Sequence, residues 1–389
     1  MSVHAFDRGL DWHALAAAHG APLLVLDCDV LRQQYRALSA ALPGVAIHYA
    51  IKALPELAAI STLADEGARF EIASQGEIEL LRSAGVSPLK TIHTHPIKRP
   101  RDIVAALRYG CTTFVVDNAI EIDKLARFRD RVALLLRVSF RSPDARCDLS
   151  KKFGCPPEQV TALLAHAEQQ GLIVKGLCFH VGSQSASPVA HVHAIHACNE
   201  IIRAHNASHD NKLYVLDIGG GFPVNYDGST PAIDVFCAPI RDALSALPAC
   251  VQVLAEPGRF LAAPAMTCIT SVIGKAERGG KTWYFLDDGV YSSFSGQIYD
   301  HTTYPIAALK QPTAGNPARP SVLAGPTCDS IDIIAEHIEL PDLQLGDLIV
   351  AQMMGAYSSA SATEFNGFAR TPILALGAPA PRARALRLV

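Results

Sequence analysis

The chain has 389 residues, of which 49% are hydrophobic and 18% charged, with a formal net charge of −3. This composition excludes a disordered chain and is long enough for a sizeable core and more than one domain. The lack of any long basic run excludes an electrostatic nucleic-acid or membrane surface and leaves small-molecule chemistry.

The segment Met1–Asp11 already carries Asp7 and Arg8 and has no apolar core of the kind a secretory signal requires. No apolar run approaches the roughly 18 residues of a membrane-spanning helix. Ten cysteines lie singly between Cys28 and Cys328, with no C-x-x-C pair. That pattern argues against a zinc knuckle and a disulfide-stapled secreted domain, and for a reducing cytoplasm.

From about residue 30, short β-rich runs alternate with helical ones. The predicted strands are Val45–Ala50, Arg69–Ala73, Thr91–Thr94, Thr113–Val116, Val132–Val138, Ile173–His180, Leu213–Ile218 and Val251–Glu256. Between them fall helical stretches at Val30–Leu42, Glu56–Glu66, Gly76–Ala84, Pro100–Tyr109, Ala119–Arg127, Pro157–Gln169, Val189–His205 and Val235–Ala246. Eight such repeats predict parallel strands with crossover helices, closed into a (β/α)8 TIM-like barrel over residues 28–261. A doubly wound open sheet is the competing architecture.

After Ala262 the pattern changes to strands separated by loops: Thr267–Ile273, Lys281–Leu286, Ser321–Leu323 and Asp347–Ala351. These predict a C-terminal β domain over 262–389, joined by residues 1–27 through the run Pro22–Leu26. Gln311–Pro320 reads as an exposed loop and Ala378–Arg384 as a ragged tail.

Catalytic groups in such barrels sit at the C-terminal ends of the strands. Lys52 follows the first strand, where desolvation would favour a nucleophilic amine; a lone strand-end lysine is more often a solvated ammonium. His180 and Ser183, in Phe179-His180-Val181-Gly182-Ser183, follow the sixth, offering an imidazole and a hydroxyl. Gly219, Gly220 and Gly221 follow the seventh and can turn backbone N–H groups toward an anion. They lack the spacing of a dinucleotide fingerprint and the lysine of a P-loop. Glu256, Gly258 and Arg259 end the eighth, with a carboxylate for a cationic ring nitrogen and donors for a phosphate. In the β domain, Cys328 lies between polar residues in Gly325-Pro326-Thr327-Cys328-Asp329-Ser330, and Tyr357 ends Gly355-Ala356-Tyr357. The cluster His191, His193 and His196 does not make a metal site, because residues two apart face different sides of a helix.

In this order, Y-A-I-K, F-H-V-G-S, D-I-G-G-G-F-P, E-P-G-R, Y-D-H at Tyr299–His301, G-P-T-C-D, G-A-Y and F-N-G-F at Phe365–Phe368 resemble the barrel-type (fold type III) pyridoxal-phosphate decarboxylases. The resemblance runs from Pro22 to Phe368 and is nearest to ornithine/lysine decarboxylases. It implies an alanine-racemase-like arrangement of barrel plus β domain, and a homodimer with active sites shared across the interface. By the same resemblance, Lys52 forms a Schiff base with pyridoxal 5'-phosphate, His180 stacks on its ring and Glu256 keeps the ring nitrogen protonated. Ser183, the glycines 219–221, Gly258, Arg259 and Tyr357 hold its phosphate. Cys328 of the second chain positions or protonates the reacting carbon, while Asp329 and Asp300, with Tyr299 and Phe365, meet the far end of the substrate. Lys152 and Asp332 form a candidate interface pair. Glu71 stands where ornithine enzymes of the family more usually have aspartate.

The implied reaction is decarboxylation of L-ornithine and/or L-lysine to the diamine. Three alternatives stay open: a larger substrate such as a siderophore precursor or a diaminopimelate-like amino acid, an amino-acid racemase, and a non-catalytic homologue. Glu256 speaks against a racemase, which usually places arginine at the ring nitrogen. Aspartate after Cys328 speaks against diaminopimelate, whose enzymes usually show glutamate there.

Overall fold

A computed structural model of the chain describes residues 9–141, 145–147 and 150–380. The chain divides into two units. One holds residues up to Leu31, Tyr226–Ser229 and Ala262–Ala378; the other holds Arg32–Asn225 and Thr230–Leu261.

The second unit is built on a closed barrel of eight strands: Ala46–Ala50, Arg69–Ile72, Thr91–His93, Thr113–Val116, Ala133–Arg137, Ile173–Cys178, Val215–Asp217 and Gln252–Ala255. Every neighbouring pair is parallel, and the ring closes where Leu254 and Ala255 pair with Ala46 and Ile47. The open-sheet alternative is thereby set aside. Strands covered on both faces read as continuous apolar runs, as in Thr113–Val116, where all four residues are buried. Val115, Leu135, Cys178 and Val215 pack together, with Leu254 against them.

The helices follow local signals. Pro100–Tyr109 begins on a proline at its first turn and ends at Gly110 in the left-handed region, φ 105°. Gln75–Ser83 starts with a capping box between Ser74 and Glu77. Most expected strands are one or two residues too long at their ends, because the chain leaves the ladder where it turns toward the barrel mouth. His180, expected inside the sixth strand, lies beyond it.

The other unit is an eight-stranded mixed sheet. Its long strand Met266–Arg278 pairs with Leu23–Asp27, Lys281–Leu286 and Leu348–Ala351, all antiparallel. Leu23–Asp27 also pairs in parallel with Ile373–Leu376. The helix Trp12–His19 sets Trp12 against Leu23, Val25, Ile269, Ala307 and Val350. Neither that helix nor the strands Ile306–Ala308, Ile333–Leu340 and Ile373–Leu376 was expected. Ile333–Leu340 carries Glu336, His337 and Glu339 and lies at the end of the sheet order, where charges protect an open edge but erase the apolar alternation. The expected loop Gln311–Pro320 is shorter than anticipated: Arg319 and Pro320 already belong to the strand Arg319–Ala324. Asn316 ties it to Asp342 through two hydrogen bonds. The expected tail Ala378–Arg384 runs beyond the described residues. Among the described residues no helix is long and apolar enough to cross a membrane.

Candidate active site

Lys52 follows the first barrel strand, in a single 3-10 turn Ile51–Ala53. Its Nζ donates to Glu71 Oε1, and Thr94 Oγ1 donates to Glu71 Oε2. Glu71 is buried, while the Lys52 side chain is 45% exposed. The amine is therefore not stripped of solvent as the sequence suggested. Instead a buried carboxylate from the next strand orients it, and this is the geometric role of Glu71.

The glycine turn after the seventh strand is a cradle with no room for side chains. A Cβ on Gly219 would lie 2.3 Å from the Phe179 carbonyl, on Gly220 2.7 Å from the Glu256 carbonyl, and on Gly221 2.6 Å from the Gly182 carbonyl. Gly219 and Gly221 also take positive φ, 65° and 100°, a conformation that costs side-chain residues most. Gly219 N–H donates to Asp217 Oδ1 at 2.9 Å, and Glu256 N–H donates to the Gly219 carbonyl at 2.7 Å. His191, singled out above as part of a histidine cluster, is fully buried. Its Nε2–H donates to the Gly220 carbonyl at 3.0 Å, and its ring stacks on Phe222. Burial lowers its pKa to about 4, so the ring is neutral. It holds the turn in place; among the described residues no group of three or more His, Cys, Asp or Glu is arranged for a metal.

Beside this turn stand two buried carboxylates, Asp217 and Glu256. Asp217 is fully buried, and among the described residues its Oδ2 has no hydrogen-bond partner. Burial, then repulsion from Asp217, raises the pKa of Glu256 well above the carboxylate range, and burial raises that of Asp217. Such a pair calls for a proton or a cation between or beside its oxygens. His180 lies across from Gly220, whose Cβ would approach its Nε2 to 3.0 Å. Gly182 N–H donates to His180 Nδ1 at 3.0 Å, which places the ring proton on Nε2. Desolvation, reinforced by Arg137 and Lys52, holds His180 well below the ordinary histidine range, so it is an uncharged planar surface. Arg259 is buried and its Nε donates to Ser183 Oγ at 3.0 Å. Gly258 precedes it at the start of the same short turn.

The barrel unit thus assembles Lys52, Glu71, His180, Ser183, Gly219–Gly221, Glu256, Gly258 and Arg259. A flat, phosphorylated, cationic aromatic aldehyde fits each of them: an amine for the aldehyde carbon, a carboxylate pair for the ring cation, a neutral ring face, and backbone and guanidinium donors for the phosphate.

The remaining candidates, Lys152 apart, lie in the β unit. Tyr291 OH donates to Asp329 Oδ2 at 2.6 Å, and Ile331 N–H donates to Oδ1 at 3.1 Å. These bonds hold the Asp329 pKa below its usual value, while the carboxylate pushes the Tyr291 hydroxyl up to about 12. Phe365 stacks on Tyr291 with ring centroids 4.3 Å apart. Beside them a cavity of about 300 Å³ is lined by Asp287, Tyr291, Pro326, Phe365 and Phe368 among others, with no lysine or arginine among the described residues. Cys328 is exposed and hydrogen-bonded to Asn366. Asp332 is buried, and accepts from Val290 N, Thr327 N and Thr327 Oγ1, so it braces the Cys328 loop within its own chain. Lys152, in the barrel unit, places its Nζ 5.1 Å from the Phe153 ring centroid. Tyr299 and Asp300 end the short helix Gly296–Asp300, with Tyr299 61% exposed. Tyr357 takes a positive φ of 55°, and its carbonyl accepts from Ser361 Oγ.

Asp217, Thr94, His191, Tyr291 and Asn366 were missed as contributors. Asp217 and Asn366 stand inside quoted motifs, D-I-G-G-G-F-P and F-N-G-F, and a buried or left-handed polar residue was the available signal. Thr94 and Tyr291 carry no sequence signal of their own.

The family described as "Pyridoxal-dependent decarboxylase, pyridoxal binding domain" matches residues 28–263. The lysine/ornithine decarboxylase of Selenomonas ruminantium is 38% identical, over 92% of this chain and 91% of that protein. The crystal structure of lysine/ornithine decarboxylase from Vibrio vulnificus complexed with putrescine is 51% identical, with a TM-score of 0.89, over 96% of this chain and 98% of that one. The arginine decarboxylase of Paramecium bursaria Chlorella virus, bound to agmatine, is 31% identical with a TM-score of 0.88, over 94% of this chain and 99% of that one. A match along most of the chain, on a site whose carboxylates, glycine turn and lysine suit the cofactor, means that this chain belongs to the pyridoxal-dependent decarboxylases.

Proposed function

We propose that this protein decarboxylates L-ornithine and/or L-lysine to the corresponding diamine, as a homodimer in a reducing cytoplasm. The observation that carries the substrate class is Asp329: an ionised carboxylate fixed by Tyr291 beside an aromatic shelf, with no cation among the described residues that line the adjacent cavity. A distal ammonium is complementary to that group, whereas a distal carboxylate would need an arginine. The names of the Selenomonas and Vibrio relatives, and the putrescine in the Vibrio structure, support the same class. One methylene separates ornithine from lysine, a difference of only about 1–3 kcal/mol in a pocket, so one site can serve both.

When bound, pyridoxal phosphate accepts the electron pair left behind as the substrate's carboxylate departs. The residues of this chain have distinct tasks. Lys52 is the attachment point, and Glu71 orients its amine. Glu256, backed by Asp217, keeps a proton at the ring nitrogen, and His180 covers the ring face. Ser183, Gly219–Gly221, Gly258, Arg259 and Tyr357 hold the phosphate. Cys328, from the second chain, holds at Sγ the proton that replaces the carboxylate. Asp329 with Asp300, Tyr299 and Phe365 binds the far end of the substrate. Lys152 would meet Asp332 of the second chain, whose carboxylate has about four acceptor sites and three donors already in place.

The test is product analysis of cofactor-loaded protein with L-ornithine, L-lysine, their D-forms, arginine and diaminopimelate, alongside borohydride trapping at Lys52. Putrescine or cadaverine is expected. D-amino acid without amine would establish a racemase instead, and no trapping at Lys52 would remove the attachment role.

A further inference from the structure

Asn366 has a conformation and a contact that the roles above leave unused. It sits in the 3-10 turn Phe365–Gly367 with its backbone in the left-handed region, φ 56° and ψ 13°. Asparagine is among the few side-chain residues that adopt this region readily. Its Oδ1 accepts two hydrogen bonds from the same residue, 38 positions away: the backbone N–H of Cys328 at 3.0 Å and the Cys328 thiol at 3.1 Å. A backbone N–H can only donate, so the amide atom facing it is the oxygen. That same oxygen therefore faces the sulfur as an acceptor.

We propose that Asn366 is a positioning residue for Cys328, pinning the loop by its backbone and orienting the thiol by accepting its S–H hydrogen bond. The inference rests on the reading of Cys328 as the group that delivers a proton to the reacting carbon. In that delivery the S–H bond breaks and a C–H bond forms where the carboxylate has left; solvent water then returns a proton to the thiolate. Asn366 is itself held: Gly367 N–H donates to the Glu364 carbonyl at 2.9 Å, and Phe365 N–H to Thr363 Oγ1 at 3.3 Å. Phe365 in turn stacks on Tyr291, the residue that holds Asp329. One turn thus grips both members of the Cys328–Asp329 pair, the first by an amide oxygen and the second through an aromatic stack.

The experiment compares cofactor-loaded wild type, Asn366→Ala and Asn366→Asp. The rate of Cys328 alkylation by iodoacetamide is read by peptide mass, with steady-state turnover of the preferred diamino acid alongside. Among the described cysteines only Cys250 is also exposed, so the two labels are separable by mass. Loss of the acceptor in Asn366→Ala speeds alkylation at Cys328 several-fold and lowers kcat about tenfold, the scale of one lost hydrogen bond, with KM within twofold. Asn366→Asp keeps the shape and the acceptor but disfavours the thiolate, so alkylation slows; it also serves if the alanine variant folds poorly. Equal alkylation rates in all three proteins overturn the proposal, as does a rise in KM at constant kcat. Cys328→Ala separates the two levels. Wild-type turnover in that variant removes the proton-donor reading itself, whereas lost turnover with unchanged alkylation in Asn366→Ala removes only the positioning role.

Discussion

In the barrel unit, the groups of the candidate site are held by backbone and by burial. The glycine turn touches three carbonyls so closely that no Cβ fits, and Asp217, Glu256 and Arg259 are all buried. In the β unit, the corresponding groups stand on loops and are held by a pair of hydrogen bonds each: Asp329 accepts from Tyr291 OH and Ile331 N–H, and Cys328 donates its N–H and thiol to Asn366. The first design tolerates almost no change, because each atom is constrained by several neighbours. The second can be retuned one residue at a time. The barrel half is thus the rigid one and the β half the adjustable one.

The largest test of that contrast is Glu256→Gln. Turnover should fall on the order of 10² to 10³-fold, the cost of losing a charge-stabilising partner. Its pH signature is separable from activity. Both buried carboxylates have raised pKa values in the folded chain, so the folded state binds more protons than the unfolded one as pH climbs past the ordinary carboxylate range. The contribution of this pair to the stability of cofactor-stripped protein is therefore fully present below about pH 4 and is lost as pH rises through the raised values. Glu256→Gln should flatten that decline in thermal melts; an unchanged slope would mean the pair is not what stores it.

A smaller effect is expected from Gly220→Ala, whose new methyl would meet the Glu256 carbonyl at 2.7 Å. The clash should cost about 1–3 kcal/mol of stability and loosen cofactor retention, read by denaturant titration and equilibrium dialysis. Free accommodation of the methyl would show that the barrel half is less rigid than its contacts indicate.

The smallest is Tyr291→Phe, in the adjustable half. It removes one hydrogen bond to Asp329 and should raise KM for the diamino acid by up to about tenfold, leaving the melting temperature and cofactor affinity near wild type. A matching loss of cofactor would blur the distinction between the halves.

Much of the barrel was legible before any coordinates. Parallel strands buried on both faces are apolar throughout, and their helices carry proline, glycine and capping signals within the same few residues, so Thr113–Val116 and Pro100–Tyr109 were read as they stand. The β unit was less legible: Ile333–Leu340 is strand by its partner and not by its own pattern. The site divides the same way. Lys52, the glycines, Glu256 and Cys328 sit in local motifs, and local motifs survive in one dimension. What the chain's order could not state is pairing between distant segments. Asp217 becomes a raised carboxylate only because the closed barrel buries it, Glu71 meets Lys52 only across the strand ladder, and Asn366 reaches Cys328 only after the β unit folds. Residue type and spacing determine which groups are available; burial and cross-strand distance, which exist only in three dimensions, decide their charge and their partners.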